Sequence, residues 1–82
     1  MSDNLSGMIA FVKTAEALSF TGAARAMGIS ASAVGKNVVK LEASLNVRLL
    51  HRSTRKVSLT AEGQLFYERC RKILDDLQDA RA

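Results

Sequence analysis

Residues 20–39 read FTGAARAMGISASAVGKNVV, and the fold is decided here. Thr21 is placed as the N-cap of a short helix from Gly22 to about Met27, whose Ala23, Ala24 and Ala26 let a neighbouring helix pack closely. Gly28 stands where a helix commonly ends in the left-handed conformation, and Ser30, two residues on, caps the next helix. Ala24 and Gly28 thus supply the close crossing and the turn. Ile29, Val34 and Val38 are expected to fix the angle between the two helices from beneath. This is the pattern of a helix-turn-helix, although helical hairpins with Ala and Gly at these places also occur in proteins that never touch DNA.

The second of these helices spans Ala31 to Leu45, where Val34, Val38, Leu41 and Leu45 recur at spacings of four, three and four and form one apolar stripe. Ser32, Lys36 and Lys40 fall on the opposite side, with Ala33, Gly35 and Asn37 at its margins. A cationic face without acidic residues suits the major groove of duplex DNA. Lys36 can reach guanine O6/N7 or a phosphate, Ser32 a base edge or a phosphate oxygen, and the first turn offers free backbone N–H groups. Asn37 either pairs with adenine or is a flanking polar residue that meets only water or protein.

Upstream, residues 4–18 have helical spacing, with Leu5, Met8, Phe11, Val12, Ala15 and Leu18 on one side and Asn4 as cap. Downstream, the period changes after Asn46, a residue that tolerates a left-handed helix end. Leu49 to Arg52 and Val57 to Leu59 read as the strands of a short hairpin whose tip, Ser53-Thr54-Arg55-Lys56, is basic. No acidic side chain lies between Ala43 and Ala61, so Arg48, Arg52, Arg55 and Lys56 form a surface for the DNA backbone or minor groove. Arg52 has a structural alternative, pairing with Glu62 or Glu42. His51 has no second His and only one Cys to complete a metal site, so none is expected.

Thr60 caps a last helix, Ala61 to about Ala80, with Glu62 in the first turn where an anion is favoured and Gly63 weakening that turn slightly. Phe66, Cys70, Ile73, Leu77 and Ala80 are spaced four, three, four, three, a heptad seam. About two heptads are too few for an independent coiled coil, so the seam pairs with a second copy or folds back on the first helix.

The whole chain has 82 residues, no Pro and no Trp, and its hydrophobic fraction of 48% includes 12 Ala. One small domain with a thin core follows, for which support from a partner chain is a reasonable expectation. The formal net charge of +4 is unevenly placed: Arg25 to Lys72 holds ten Lys/Arg against three Glu, about +7, while residues 1–24 come to −1 and 73–82 to −2. One cysteine suits a reducing compartment, and no apolar run approaches the roughly 18 residues that span a bilayer, so a cytoplasmic chain without a membrane partner is expected. No Ser–His–Asp, Cys–His, clustered-carboxylate or phosphate-loop arrangement is present, so an enzyme and a cofactor are not expected.

Taken together, the sequence resembles the N-terminal domain of LysR-type transcriptional regulators over nearly its whole length. The residues that carry the resemblance are Phe11-Val12, Ser19-Phe20-Thr21, Ala23-Ala24, Ser30, Ala33-Val34, Leu41-Glu42, Leu49-Leu50, Arg52, Arg55 and Leu59-Thr60-Ala61-Glu62-Gly63. The resemblance implies a mainly α winged helix-turn-helix, a three-helix core plus a β-hairpin wing over 1–60, followed by a linker and dimerisation helix over 61–82. It further implies sequence-specific binding of a double-stranded DNA operator, with Ala31, Ser32, Gly35 and Lys36 facing the groove, Arg52 and Arg55 on the wing, and Thr21 and Ser30 as helix caps. Ala33, Asn37, Lys40, Ser53 and Thr54 complete the expected contact set, and Phe66, Cys70, Ile73 and Leu77 the expected homodimer interface. A small-molecule effector is expected only in a larger C-terminal domain outside this chain.

The sequence departs from the family where Ala31 replaces a frequent Gln and Gly35 a frequent Ser or Thr, removing two polar contacts, and Asn46 replaces the usual Gly. Readout then leans on Ser32, Lys36, methyl contacts from Ala31 and Ala33, and DNA shape. The alternative to DNA reading is a helical protein-interaction module whose basic surface is only solvated.

Overall fold

The computed structural model describes the backbone of residues 2–53 and 56–81 and the side chains of residues 5–53 and 56–80. Helix α1 (Ser2–Ala17) is followed by α2 (Phe20–Met27), α3 (Ala31–Leu45), strands β1 (Leu50–Arg52) and β2 (Val57–Leu59), and α4 (Ala61–Arg81). The strands pair antiparallel with Leu50 opposite Leu59, His51 opposite Ser58 and Arg52 opposite Val57. This is the expected winged helix-turn-helix with a long final helix.

α1 is central, packing against α2, α3 and α4. Its buried Ala10, Phe11 and Val12 meet Ala23 and Ala24 of α2, Val34, Val38 and Leu41 of α3, Leu49 and Leu50 beside the wing, and Cys70 of α4. Thr14 is also fully buried, its hydroxyl donating to the Ala10 carbonyl at 2.8 Å, so a polar position lies within the apolar face without an unpaired donor. α3 crosses α1 closely: a Cβ on Gly7 would stand 3.1 Å from the Leu41 Cβ.

The turns follow local chemistry, with two corrections. Ser19, not Thr21, caps α2: its hydroxyl accepts from the Gly22 N–H at 3.0 Å, which starts the helix at Phe20 and leaves Thr21 exposed in the first turn. Because the cap comes so early, α1 stops at Ala17 and the chain reverses at Leu18, which takes φ 51° and is exposed instead of joining the core. α1 itself begins at Ser2, which places Asn4 inside the helix and not at its cap. Gly28 (φ 71°) and Asn46 (φ 56°) end α2 and α3 in the left-handed conformation as expected, and Ser30 caps α3 by accepting from the Ala33 N–H at 3.1 Å.

Leu5, Ile29 and Leu45 are exposed and not in the core. Leu5 and Leu45 lie near the outer ends of their helices, and Ile29 lies in the turn between α2 and α3. Thr60 joins α4 to the wing: its hydroxyl donates to the Arg48 carbonyl at 2.7 Å and accepts from the Gly63 N–H at 2.8 Å. The first half of α4 belongs to the same core, which therefore continues past residue 60.

Among the described residues, no helix is long and apolar enough to cross a membrane.

Candidate nucleic-acid interface

The apolar stripe of α3 faces α1 and α2, so the helix must present its other side outward. Ala31, Ser32, Lys36, Val39 and Lys40 are all exposed on α3, and Gly35 lies among them with nothing within 4 Å of the position its Cβ would take. Ser30 and Ala33 sit at the start of this surface, the Ser30 hydroxyl already engaged by the Ala33 N–H. Asn37 is different. Its backbone carbonyl oxygen lies 3.3 Å from the Cβ position of Gly7, and the residue is half-buried. Its backbone thus passes close to α1, at the margin of the face formed by Ser32, Lys36 and Lys40.

The wing is anchored to α3 by one carboxylate. Glu42 Oε2 accepts the backbone N–H groups of Leu49 at 2.9 Å and Leu50 at 3.1 Å, while Oε1 pairs with the Arg52 guanidinium at 3.2 Å. Arg52 also lies over the Phe20 ring, 5.3 Å from its centroid, a cation–π contact that ties the wing to the start of α2. The structural alternative for Arg52 is thus realised, with Glu42 as partner; its side chain still keeps 30% of its surface open. The single carboxylate between residues 17 and 61 is consumed inside this clamp, which leaves the outward cations Lys36, Lys40, Arg48 and Lys56 unopposed within that stretch.

Ser53 closes the described part of the wing tip: its N–H donates to the Lys56 carbonyl at 2.9 Å and its Oγ accepts the Lys56 N–H at 3.0 Å. Its role here is to shape the turn that carries Lys56. Thr54 and Arg55 lie outside the described residues. Sequence reasoning missed Glu42 as a clamp, Phe20 as its platform and Val39 as part of the outward face. A signal for Glu42 was present: an isolated acid in a strongly basic stretch invites the question of what it neutralises.

The four residues of the α4 seam divide. Cys70 is fully buried, and Phe66, partly buried, packs on the core with its ring centroid 5.8 Å from that of Phe11, so both are engaged with α1. Of the four, Ile73 and Leu77 remain exposed on the chain, with Leu65 also open one and a half turns before Cys70. Burial pushes the Cys70 thiol up to about 11, so it is a neutral apolar filler at ordinary pH. Arg71 fastens the two helices from outside, donating to Glu16 at 2.7 Å and to the Tyr67 hydroxyl at 3.2 Å; Tyr67, Asp75 and Glu16 together raise its already high pKa.

Residues 5–64 match the family described as bacterial regulatory helix-turn-helix proteins, lysR family. The chain belongs to the LysR family. Among relatives, it is 44% identical over 77 residues to the HTH-type transcriptional activator AaeR of Escherichia coli K12, covering 94% of this chain and 25% of that protein. It is 42% identical over 77 residues to the HTH-type transcriptional regulator PtxR of Pseudomonas aeruginosa, with the same coverage of 94% and 25%. The chain thus spans about a quarter of the length of these curated LysR relatives. Among solved structures, it matches the BenM DNA-binding domain in complex with catB site 1 DNA at a TM-score of 0.89 and 33% identity, covering 93% of this chain and 84% of that one. Full-length OxyR C199D from Pseudomonas aeruginosa matches at a TM-score of 0.89 and 30% identity, covering 94% of this chain and 26% of that one.

Proposed function

We propose that this chain is the operator-reading part of a dimeric, cytoplasmic LysR-type transcriptional regulator, with α3 in the major groove and the hairpin on the backbone or minor groove. The observation that carries this reading is the fate of Glu42. Its removal into the clamp leaves Ser32, Lys36, Lys40 and Lys56 as an outward surface of one sign, which duplex DNA complements. Ala31, Ser32, Gly35, Lys36 and Lys40 then face the groove, and Ser30 and Ala33 hold the first turn of α3 against it. Thr21, exposed in the first turn of α2, and Arg52 and Ser53 on the wing are assigned to phosphates, and the family resemblance adds Thr54 and Arg55 to that set. Asn37 stands half-buried at the margin of the α3 face.

Salt dependence tests the reading. The logarithm of affinity for a duplex is expected to fall linearly with the logarithm of salt concentration, each phosphate contact contributing a slope of about −0.9. Lys56→Ala is expected to lower the slope by about one unit and weaken all duplexes alike. Binding that ignores salt would instead favour the protein-interaction module.

The same reading takes a second copy of the chain as partner through α4. Ile73 and Leu77, 52% and 45% exposed, form an apolar ridge on α4 beyond the fully buried Cys70. Ile73→Asp with Leu77→Asp is expected to give a folded monomer in sedimentation, with α-helical content kept because neither side chain is in the core. Unchanged self-association would sink the interface. Any effector binding is assigned to sequence that the relatives have beyond the quarter matched here.

A further inference from the structure

Val39 stands on the outward face of α3 at 48% exposure, in the third turn, between the cations Lys36 and Lys40. A β-branched side chain at an exposed helix position gains little from burial and is a poorer helix former than the Lys or Glu usual there. It is not isolated. Together with Phe20, Ser32, Gly35, Lys36, Lys40 and Arg52 it lines a shallow depression whose surface is almost wholly apolar. Gly35 makes the depression: a Cβ there would meet nothing within 4 Å, so its absence lowers the surface of the helix beside Val39 without any packing reason inside the protein.

An apolar notch bordered by the cations Lys36 and Lys40, with Arg52 already engaged by Glu42, suits a ligand that is polyanionic at its edges and apolar at one point. In the major groove that point is the C5-methyl of thymine, the one apolar group on a base edge there. Resting on the operator-reading function above, we propose that Gly35 and Val39 form a methyl-reading notch that selects thymine at one position of each half-site. Lys36 and Lys40 hold the neighbouring phosphates or guanine, and Ser32 borders the notch toward the start of α3. This assigns a specificity role to Val39, and it gives the small residue at position 35 a positive function: with a side chain at 35 the methyl could not enter.

The test uses a duplex selected from random DNA by this chain, in which each thymine is replaced in turn by uracil, a change that removes only the methyl group. One replacement per half-site is expected to weaken binding about fourfold, the change that follows from losing one buried methyl. Val39→Ser is expected to weaken the thymine duplex by a similar factor and to bind the thymine and uracil duplexes equally, its fold checked by helical content. Gly35→Ser is expected to abolish the same preference by filling the notch. The proposal is overturned if no uracil replacement matters in the parent chain, or if the preference survives intact in both variants. If no duplex is selected above non-specific affinity, the operator-reading function itself fails, and this inference with it.

Discussion

Glu42→Ala is expected to lower the stability of the folded chain by about 3 kcal/mol, and to lower its melting temperature by roughly 15 °C. The carboxylate is only 11% exposed and serves three donors at once: the Leu49 and Leu50 N–H groups and the Arg52 guanidinium. Leu49 and Leu50 are buried, so with alanine at position 42 their N–H groups lose a charged acceptor and have little water to replace it. Arg52 keeps its place over Phe20 but loses its counter-charge. Glu42→Gln retains one carbonyl acceptor for the backbone N–H pair and gives up the charge, so about half the loss is expected. Urea unfolding followed by circular dichroism measures both. The order parent, glutamine, alanine is the signature of a clamp. An alanine variant as stable as its parent would mean that the wing is held by the apolar packing of Leu49 and Leu50 alone. The same substitution is expected to weaken DNA binding in the fraction that remains folded, because the hairpin carrying Lys56 is no longer fixed relative to α3.

What the sequence disclosed about this molecule was whatever is encoded within a few residues. Ser30, Gly28 and Asn46 bracket α3, because caps and left-handed ends are local preferences, and the spacing of Val34, Val38 and Leu41 gives its buried side directly. Where two local solutions competed, the pattern did not choose between them. Ser19 and Thr21 both flank Phe20 and both can cap, and the structure takes the earlier one at the cost of a left-handed Leu18. Partners far apart in the chain were less legible. The four-three rhythm of Phe66, Cys70, Ile73 and Leu77 says that one stripe of α4 is apolar, not what covers it, and the stripe is in fact shared between α1 and open surface. Arg52 and Glu42 were recognisable as a candidate pair by charge. That the same carboxylate also holds two backbone N–H groups depends on how the chain returns after Asn46, and no spacing rule shows it. The expected face was legible at Ser32, Lys36 and Lys40 but not at Val39, since an apolar residue outside the stripe of Val34, Val38 and Leu41 carries no polar signal of its own.

Gly63 gives the sharpest reversal between a propensity argument and the fold. A glycine in the first turn of a helix costs about 1 kcal/mol relative to alanine, so Gly63→Ala considered alone would stabilise the chain. The structure reverses the sign. A Cβ at position 63 would overlap the Leu49 carbonyl oxygen and come within 2.9 Å of the Leu49 carbonyl carbon and 3.2 Å of Thr60 Oγ1. These are backbone and a pinned hydroxyl, not the yielding end of a side chain. The Leu49 carbonyl accepts the Thr60 N–H at 3.0 Å, and the Thr60 hydroxyl accepts the Gly63 N–H at 2.8 Å while donating to Arg48 at 2.7 Å. Making room for a methyl group therefore pushes α4 away from the segment before β1 and breaks the cap as well. The expected loss is about 3 kcal/mol, from overpacking and a lost helix cap together. Gly35→Ala is the matched control: it too adds a methyl to a helix, but into open space, and is expected to stabilise by about 1 kcal/mol. Chemical denaturation of the two variants beside the parent reads the difference. If Gly63→Ala and Gly35→Ala shift the midpoint in the same direction, α4 does not start against Leu49, and the packing of Phe66 and Cys70 onto α1 that follows from that start is wrong too.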